Sequence, residues 1–349
     1  MKKRLAIVGY GGQGAWHAEH AMRSDVVELA GIRDIAEKRI NAAREKGIRV
    51  YESLEEILAD DSVDIVLCAT PNDVHKDIVV QSLLAGKNVI CEKPVALSVG
   101  DFDEMLAAAE KSGAHFSVHQ NRRWDVDYLA MKSLVDSGEI GDVINIESRI
   151  HGSRGIPSDW RCHKPYGGGM ILDWGVHFLD LILYILGGAK LKTATCDAYS
   201  EMAKDMKSYK YTGMWAEDTS DIENGTNDVD DFITGHVRTD KASISFNGAW
   251  AQNIDANDMF IDFLGDKGGA RLTYGGKFVF WSADTLEKTA PEYDIPNMYY
   301  CEDKAFLESI ETGIANKNNI SEILESAKLL DALYESAKAG KEIELSKNQ

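Results

Sequence analysis

The first 120 residues alternate short apolar runs with amphipathic stretches of about ten residues, a rhythm that points to parallel strands joined by crossover helices. The strand-like runs are Leu5 to Val8, Val26 to Ile32, Arg49 to Tyr51, Val63 to Ala69, Asn88 to Cys91 and His115 to His119. Gly14 to Arg23, Ile35 to Lys46, Leu54 to Leu58, Asp73 to Ala85 and Val99 to Lys111 read as the intervening helices. Strands that are apolar almost throughout belong in a sheet covered on both faces. Residues 1–121 are therefore expected to form an α/β Rossmann domain.

After Asn121 the rhythm changes. A helix, Tyr128 to Ser137, leads into a half-buried strand, Val143 to His151, and a long apolar helix runs from Met170 to Leu186. Strand-like runs then follow one another without helices: Lys192 to Tyr199, Val229 to Arg238, Ala242 to Trp250, Met259 to Leu264, Ala270 to Tyr274 and Phe278 to Trp281. Succession of this kind implies an α+β domain with an open, mainly antiparallel sheet over residues 122–297. Ser200 to Asn227 is polar and irregular and reads as a surface insertion. Helices Cys301 to Thr312 and Ser321 to Ala339 close the chain, and the segment 298–349 is expected to pack back on the Rossmann domain.

Charge narrows the partners. Lys and Arg number 38 against 57 acidic residues, a net charge of −19. A chain this acidic lacks the clustered cations that nucleic acids or anionic membrane surfaces require. No run approaches the roughly 18 apolar residues that span a bilayer. The basic start, Lys2-Lys3-Arg4, is followed by only four apolar residues before the glycines, so it does not read as a signal peptide. The five cysteines are scattered and form no CxxC pair, which suits reduced thiols in the cytoplasm and gives no metal motif.

Gly9-Tyr10-Gly11-Gly12-Gln13-Gly14 fits G-x-G-x-x-G between a strand and a helix. That context assigns Gly9, Gly11 and Gly14 to the turn, the close approach of a pyrophosphate and helix–strand packing, with Gly12 and Gln13 opening the helix. The second strand ends Arg33-Asp34, where an acid suits the ribose hydroxyl of NAD and an arginine the 2′-phosphate of NADP. Both are present, so the cofactor is NAD or NADP.

Further motifs resemble the Gfo/Idh/MocA oxidoreductases, the family of glucose–fructose oxidoreductase and inositol dehydrogenase. They are Cys91-Glu92-Lys93-Pro94 after the fifth strand, Ala69-Thr70-Pro71-Asn72 with His75, Asn121-Arg122-Arg123-Trp124, and Gly167-Gly168-Gly169 ahead of Asp173-Trp174-Gly175-Val176-His177. The resemblance implies hydride transfer between nicotinamide and a secondary hydroxyl of a sugar, glycoside or cyclitol. Position by position, it implies Lys93, Asp173 and His177 as the catalytic set. Thr70, Pro71, Asn72, His75, Glu92, Asn121 and Arg122 would line the cofactor. Some relatives oxidise only transiently, retaining NAD to cleave glycosides or eliminate; others are silent cofactor-binding regulators.

The residues themselves suit the chemistry. An imidazole such as His177 titrates near neutrality and can take a hydroxyl proton, and Asp173, four residues earlier on a helix, shares its face. The Lys93 ammonium can hydrogen-bond the substrate oxygen. Trp160, Arg161 and His163 can grip sugar hydroxyls or pack a loop. Asp180 reads equally as a site residue and as an ion-pair member. His115 and His119 read as strand residues rather than metal ligands, and Asp230, Asp231 and the run Glu217 to Asp221 as solvated surface. The expected substrate is a small neutral carbohydrate or polyol, and the antiparallel sheet suits a homodimer or homotetramer.

Overall fold

The computed structural model describes residues 2–151, 160–200, 228–250, 259–273, 277–282, 288–289, 298–313 and 316–346. The chain divides into two compact units, 1–121 with 296–323, and 122–295 with 324–349.

The first unit is a parallel sheet with helices. Its elements are β1 (Lys3–Val8), α1 (Gly12–Arg23), β2 (Val27–Arg33), α2 (Glu37–Glu45), α3 (Leu54–Ala59), β3 (Ile65–Cys68), α4 (His75–Leu84), β4 (Asn88–Glu92), α5 (Val99–Ser112) and β5 (Phe116–His119). The strand order is β2-β1-β3-β4-β5, all parallel. Chain direction across the sheet reverses at β1, so the turn after β1 opens into the crevice where such sheets bind ligands. The core is Leu5, Ile7, Ile32, Ile65, Leu67 and Ile90, buried against α1 and Phe306. Arg49 to Tyr51, expected as a strand, makes only a single bridge, Ile32 with Val50. His115 lies outside β5.

The second unit contains α6 (Val126–Ser137), β6 (Val143–His151), α7 (Val176–Leu186), β7 (Leu191–Tyr199), β8 (Phe232–Thr239), β9 (Ser243–Ala249), β10 (Met259–Gly265), β11 (Gly268–Thr273), β12 (Lys277–Ser282) and β13 (Lys288–Thr289). Near the C-terminus come α8 (Met298–Thr312), which belongs to the first unit, then α9 (Ile320–Ala339) and β14 (Ile343–Glu344). Nine strands pair in the order β13-β12-β11-β10-β6-β9-β8-β7-β14. The pairs are antiparallel except β6 with β9. The expected insertion Ser200 to Asn227, with Glu217 to Asp221, lies outside the described residues apart from Ser200.

Two expectations need correction. The segment 298–349 does not act as one block on the Rossmann domain. Most of α9 lies in the second unit, where Ser326 bonds Asp180, Ser336 bonds the Cys196 N–H and β14 pairs with β7. Its apolar stripe finds its match there. Second, the helical run from Lys164 to Leu186 is long and apolar enough to cross a membrane by length and composition. The most apolar 18-residue window of that stretch is 78% buried inside the protein, and α7 is buried at nearly every position. A helix apolar all round is what the centre of a domain requires.

Candidate functional site

The turn from β1 to α1 is built for a close approach. Gly9 has φ +95°, and a Cβ there would stand 2.4 Å from the Ala69 carbonyl oxygen. A Cβ on Gly14 would stand 1.9 Å from the Gly9 oxygen. α1 begins with Gly12 and Gln13, with no side-chain cap and no acid in its first turn. The positive end of the helix is thus left to an anion.

Asp34 builds this loop. Its carboxylate accepts the Tyr10 N–H at 2.6 Å and the Ala36 N–H at 2.8 Å, and it is buried. The Arg33 Nε is buried without a hydrogen-bond partner in the protein. Arg39, not singled out in the sequence, reaches the loop as well. Its guanidinium lies 3.3 Å from where a Cβ on Gly11 would stand, and 3.7 Å from Asp34. The available signal was a cation one turn into the helix after β2.

The carboxyl ends of β3 and β4 carry the next group. Cys68 ends β3, and Thr70, Pro71 and Asn72 form the turn into α4. His75 opens α4 and is fully buried, its Nδ1 3.0 Å from the Pro94 carbonyl oxygen and its Nε2 2.9 Å from that of Thr70. It therefore ties the turn after β3 to the turn after β4. Glu92 ends β4, directly before Lys93, and its Oε2 accepts the Lys93 N–H.

Beneath Lys93 is a buried acid–imidazole cluster that sequence reasoning missed. His17 Nε2 lies 2.8 Å from Glu92 Oε1, His119 Nδ1 3.7 Å from the same oxygen, and His119 Nε2 2.9 Å from Glu302 Oε2. Burial alone would raise Glu92, but His119, His17 and Lys93 outweigh it and hold the carboxyl at about 2. Burial lowers His119 to about 4, against the pull of Glu92. Burial, with Glu92 and Asp303 nearby, raises Glu302 well above the carboxylate range. These residues come from α1, β4, β5 and α8, and no linear spacing joins them. His17, Glu92 and His119, and likewise Cys68, His75 and Cys91, place possible ligand atoms within 4.8 Å of one another. Contacts already fill both sets: His17 meets Glu92 directly, and both His75 nitrogens face carbonyls.

A pyridine dinucleotide fits the first unit on two observations. The start of α1 at the glycine loop has no side-chain cap and no acid in its first turn, and Asn121 Oδ1 is buried without a hydrogen-bond partner. Gly9 to Gly14 would hold the pyrophosphate, and Thr70, Pro71, Asn72, Glu92 and Asn121 lie on the turns beyond it.

In the second unit Arg122 pairs with Asp125 at 2.9 Å. Arg123 is fully buried and grips Asp180 twice, at 2.8 and 2.7 Å, while Ser326 bonds the same carboxylate. Asp180 is thereby an ion-pair member. Trp160 to Cys162 form a short 3-10 turn, in which the Arg161 guanidinium stacks 4.6 Å from the centre of the Trp160 ring. Arg161 Nε lies 3.7 Å from Asp173 Oδ1, which joins two residues the sequence treated separately. His163 meets the Tyr166 ring edge-on.

Asp173 and His177 do not share one regular helix. Asp173 lies in a π-helical turn, Ile171–Gly175, and His177 in the first turn of α7. The wider π turn makes four residues less than one full turn, which alters the offset between the two side chains. Such turns recur at functional sites.

Asp230 and Asp231 are buried, not solvated. Asp230 accepts the Ile171 N–H at 2.8 Å and the Tyr334 hydroxyl at 3.1 Å, and its own carbonyl accepts the Met170 N–H. It caps the helix that carries Asp173 and His177. Burial raises its carboxyl to about 6, against the hydrogen bonds it receives. The signal available was two adjacent acids inside an otherwise strand-like apolar run.

Comparison with known proteins follows this division. Residues 3–120 match the family described as "Oxidoreductase family, NAD-binding Rossmann fold", and residues 128–271 the "GFO/IDH/MocA C-terminal domain". The solved structure of an NAD-binding protein from Listeria innocua superposes with TM-score 0.80 and 32% identity, covering 100% of this chain and 98% of that one. D-glucoside 3-dehydrogenase of Escherichia coli is 26% identical over 98% of this chain and 97% of its own length. The NADP-dependent scyllo-inositol 2-dehydrogenase of Bacillus subtilis is 29% identical over 60% of this chain and 59% of its own. Other curated relatives match over less, 42% and 43% of their own lengths.

Proposed function

The chain belongs to the Gfo/Idh/MocA family of oxidoreductases, and from that premise we propose that it oxidises a secondary hydroxyl of a sugar, glycoside or cyclitol. The observation that carries this reading is the glycine loop with its uncapped helix start, in a chain that also supplies Lys93, Asp173 and His177. The nicotinamide, when bound, supplies the hydride acceptor. His177 takes the hydroxyl proton, and Asp173, held by Arg161, orients it. Lys93 hydrogen-bonds the substrate oxygen and stabilises its developing charge. Trp160, Arg161 and His163 lie on the loop that would receive a neutral sugar.

The protein works as a homodimer or homotetramer in the cytoplasm. Two features support this. Ile144 on β6 and Leu264 on β10, neighbouring strands, are 58% and 44% exposed, and a second copy would cover them. The five cysteines are free, as a reducing compartment keeps them.

The test is turnover. Purified protein is offered NAD or NADP with a panel of sugars, glycosides and cyclitols, and the absorbance of reduced nicotinamide is followed. Signal with at least one member, abolished in Lys93→Met with cofactor affinity retained, is the expected result. Glycoside cleavage without net reduced cofactor would replace the reading with transient oxidation. Silence across the panel, with a partner bound stoichiometrically, would replace it with a regulator.

A further inference from the structure

His75 faces a carbonyl oxygen with each ring nitrogen, Thr70 O at 2.9 Å and Pro94 O at 3.0 Å. Carbonyl oxygens only accept, and a neutral imidazole has one N–H. The other nitrogen would press its lone pair against an oxygen in a fully buried place. Both contacts are attractive only when the ring carries two protons.

A buried cation needs a counter-charge. The nearest candidate is the Cys68 sulfur, which with Cys91 Sγ and a His75 nitrogen lies in a cluster whose atoms are within 4.8 Å. Donors surround it. The Thr70 hydroxyl lies 3.4 Å away, where it can donate to a thiolate, and the Thr70 N–H also lowers the thiol. Cys91 sits beside Cys68 in register on the adjacent parallel strand. Burial alone would raise the Cys68 thiol, but Cys91, His75 and Thr70 outweigh it and bring it to about 6. Cys91 is driven the other way, well above the ordinary thiol range, by burial and by Cys68 and Glu92, so it keeps its proton, which faces the Val95 carbonyl oxygen. The titratable groups facing the cluster are thus Cys68, Cys91, His75 and Glu92.

We propose that His75 is a buried imidazolium paired with a Cys68 thiolate, and that this pair positions the two turns on which the cofactor lies. The proton moves from Cys68 Sγ to His75: one S–H bond breaks, one N–H forms, and the pair stays neutral overall. The imidazolium then donates to Thr70 O and Pro94 O at once, clamping the turn after β3 to the turn that follows Lys93. His75 and Cys68 are positioning residues, and they act on the cofactor through Thr70 and Pro94. That the turns serve a cofactor rests on the dehydrogenase reading; the charge state of the pair does not.

The experiment uses the full chain without cofactor. Nitrogen-15 NMR of histidine-labelled protein at neutral pH should give two N–H correlations for His75, assigned by their loss in His75→Asn. Ultraviolet thiolate absorbance of the wild type minus that of Cys68→Ser should equal one thiolate per chain. Dinucleotide affinity should fall roughly tenfold in Cys68→Ser, the worth of about one hydrogen bond to a charged group. In the wild type it should fall as the medium is acidified through the Cys68 titration. A single N–H on His75, or no thiolate difference, overturns the pair; a divalent metal held by Cys68, His75 and Cys91 would give the same single N–H. Unchanged affinity in Cys68→Ser, with both spectra as expected, overturns the positioning role. Should Cys68→Ser fail to fold, the wild-type NMR spectrum decides alone.

Discussion

The Asp230 carboxylate lies where Gly169 leaves room for it, and a Cβ on Gly169 would stand 2.3 Å from its Oδ1. Gly169 also has φ +118°, a backbone conformation closed to other residues at little cost. The glycine thus admits a buried acid to the start of the helix that carries Asp173 and His177.

Gly169→Ala should destabilise the protein by at least about 2 kcal/mol, from backbone strain and displacement of Asp230. Asp230→Ala strands the Ile171 N–H and the Tyr334 hydroxyl, each costing about 1–3 kcal/mol. The carboxyl at about 6 also fixes a pH sign. The folded state holds this proton more tightly than the unfolded one, so stability falls as pH rises from near 4 through 6. Asp230→Asn should remove that slope. Urea denaturation across this range measures all three.

Removing one partner of the Arg123–Asp180 pair leaves a buried charge alone. Arg123→Ala should cost about 3–5 kcal/mol, while replacing both residues with apolar ones of similar volume should cost far less. A double-mutant cycle in thermal unfolding reads the difference. Equal losses from the single and double changes would refute the pairing.

His119, lowered to about 4, stays neutral in the folded state, whereas the unfolded imidazole charges below about 6.5. The unfolded state then binds more protons, and stability falls as pH drops from 6.5 towards 4. Glu92, held near 2, adds a loss below about 4.5. These two groups favour acid lability of the first unit, whereas Glu302 and Asp303, raised by burial, act in the opposite sense. His119→Gln should flatten the part of the profile between about 6.5 and 4. Hydrogen exchange of β4 and β5 amides at stepped pH follows this unit specifically.

Arg39 bears on the cofactor. With Asp34 buried and occupied by the Tyr10 and Ala36 N–H groups, the cations Arg33 and Arg39 are the available partners of a 2′-phosphate. Arg39→Ala should weaken NADP(H) binding about tenfold or more and leave NAD(H) within about threefold. Titration calorimetry with both cofactors checks it, and equal losses would remove Arg39 from the phosphate site.

Some of this was legible in the chain. The glycine loop could be read because its residues are local: Gly9, Gly11 and Gly14 answer to a turn and a helix start within six positions. Strands β1, β3 and β4 could be read because a doubly covered parallel strand needs continuous apolar sequence. The short stretch Arg49 to Tyr51 pairs with β2 through the single bridge of Val50 with Ile32, because β-branched and aromatic composition favours extended backbone without setting how far the pairing runs. The closing helices were assigned to one unit because amphipathic periodicity gives a buried face but not what buries it.

The site shows the same limit. Sequence by itself determined the parallel architecture, the phosphate loop and the residue types that suit hydride chemistry, because each depends on near neighbours and on residue identity. Tertiary structure alone decided that Asp34 is a loop strut, that Asp230 caps a helix, that Asp180 serves Arg123, and that His17, Glu92, His119 and Glu302 share one buried cluster. Those roles depend on which distant side chains share a desolvated space, since burial decides whether a charge is solvated, paired or titrated. Composition and periodicity carry no record of that proximity.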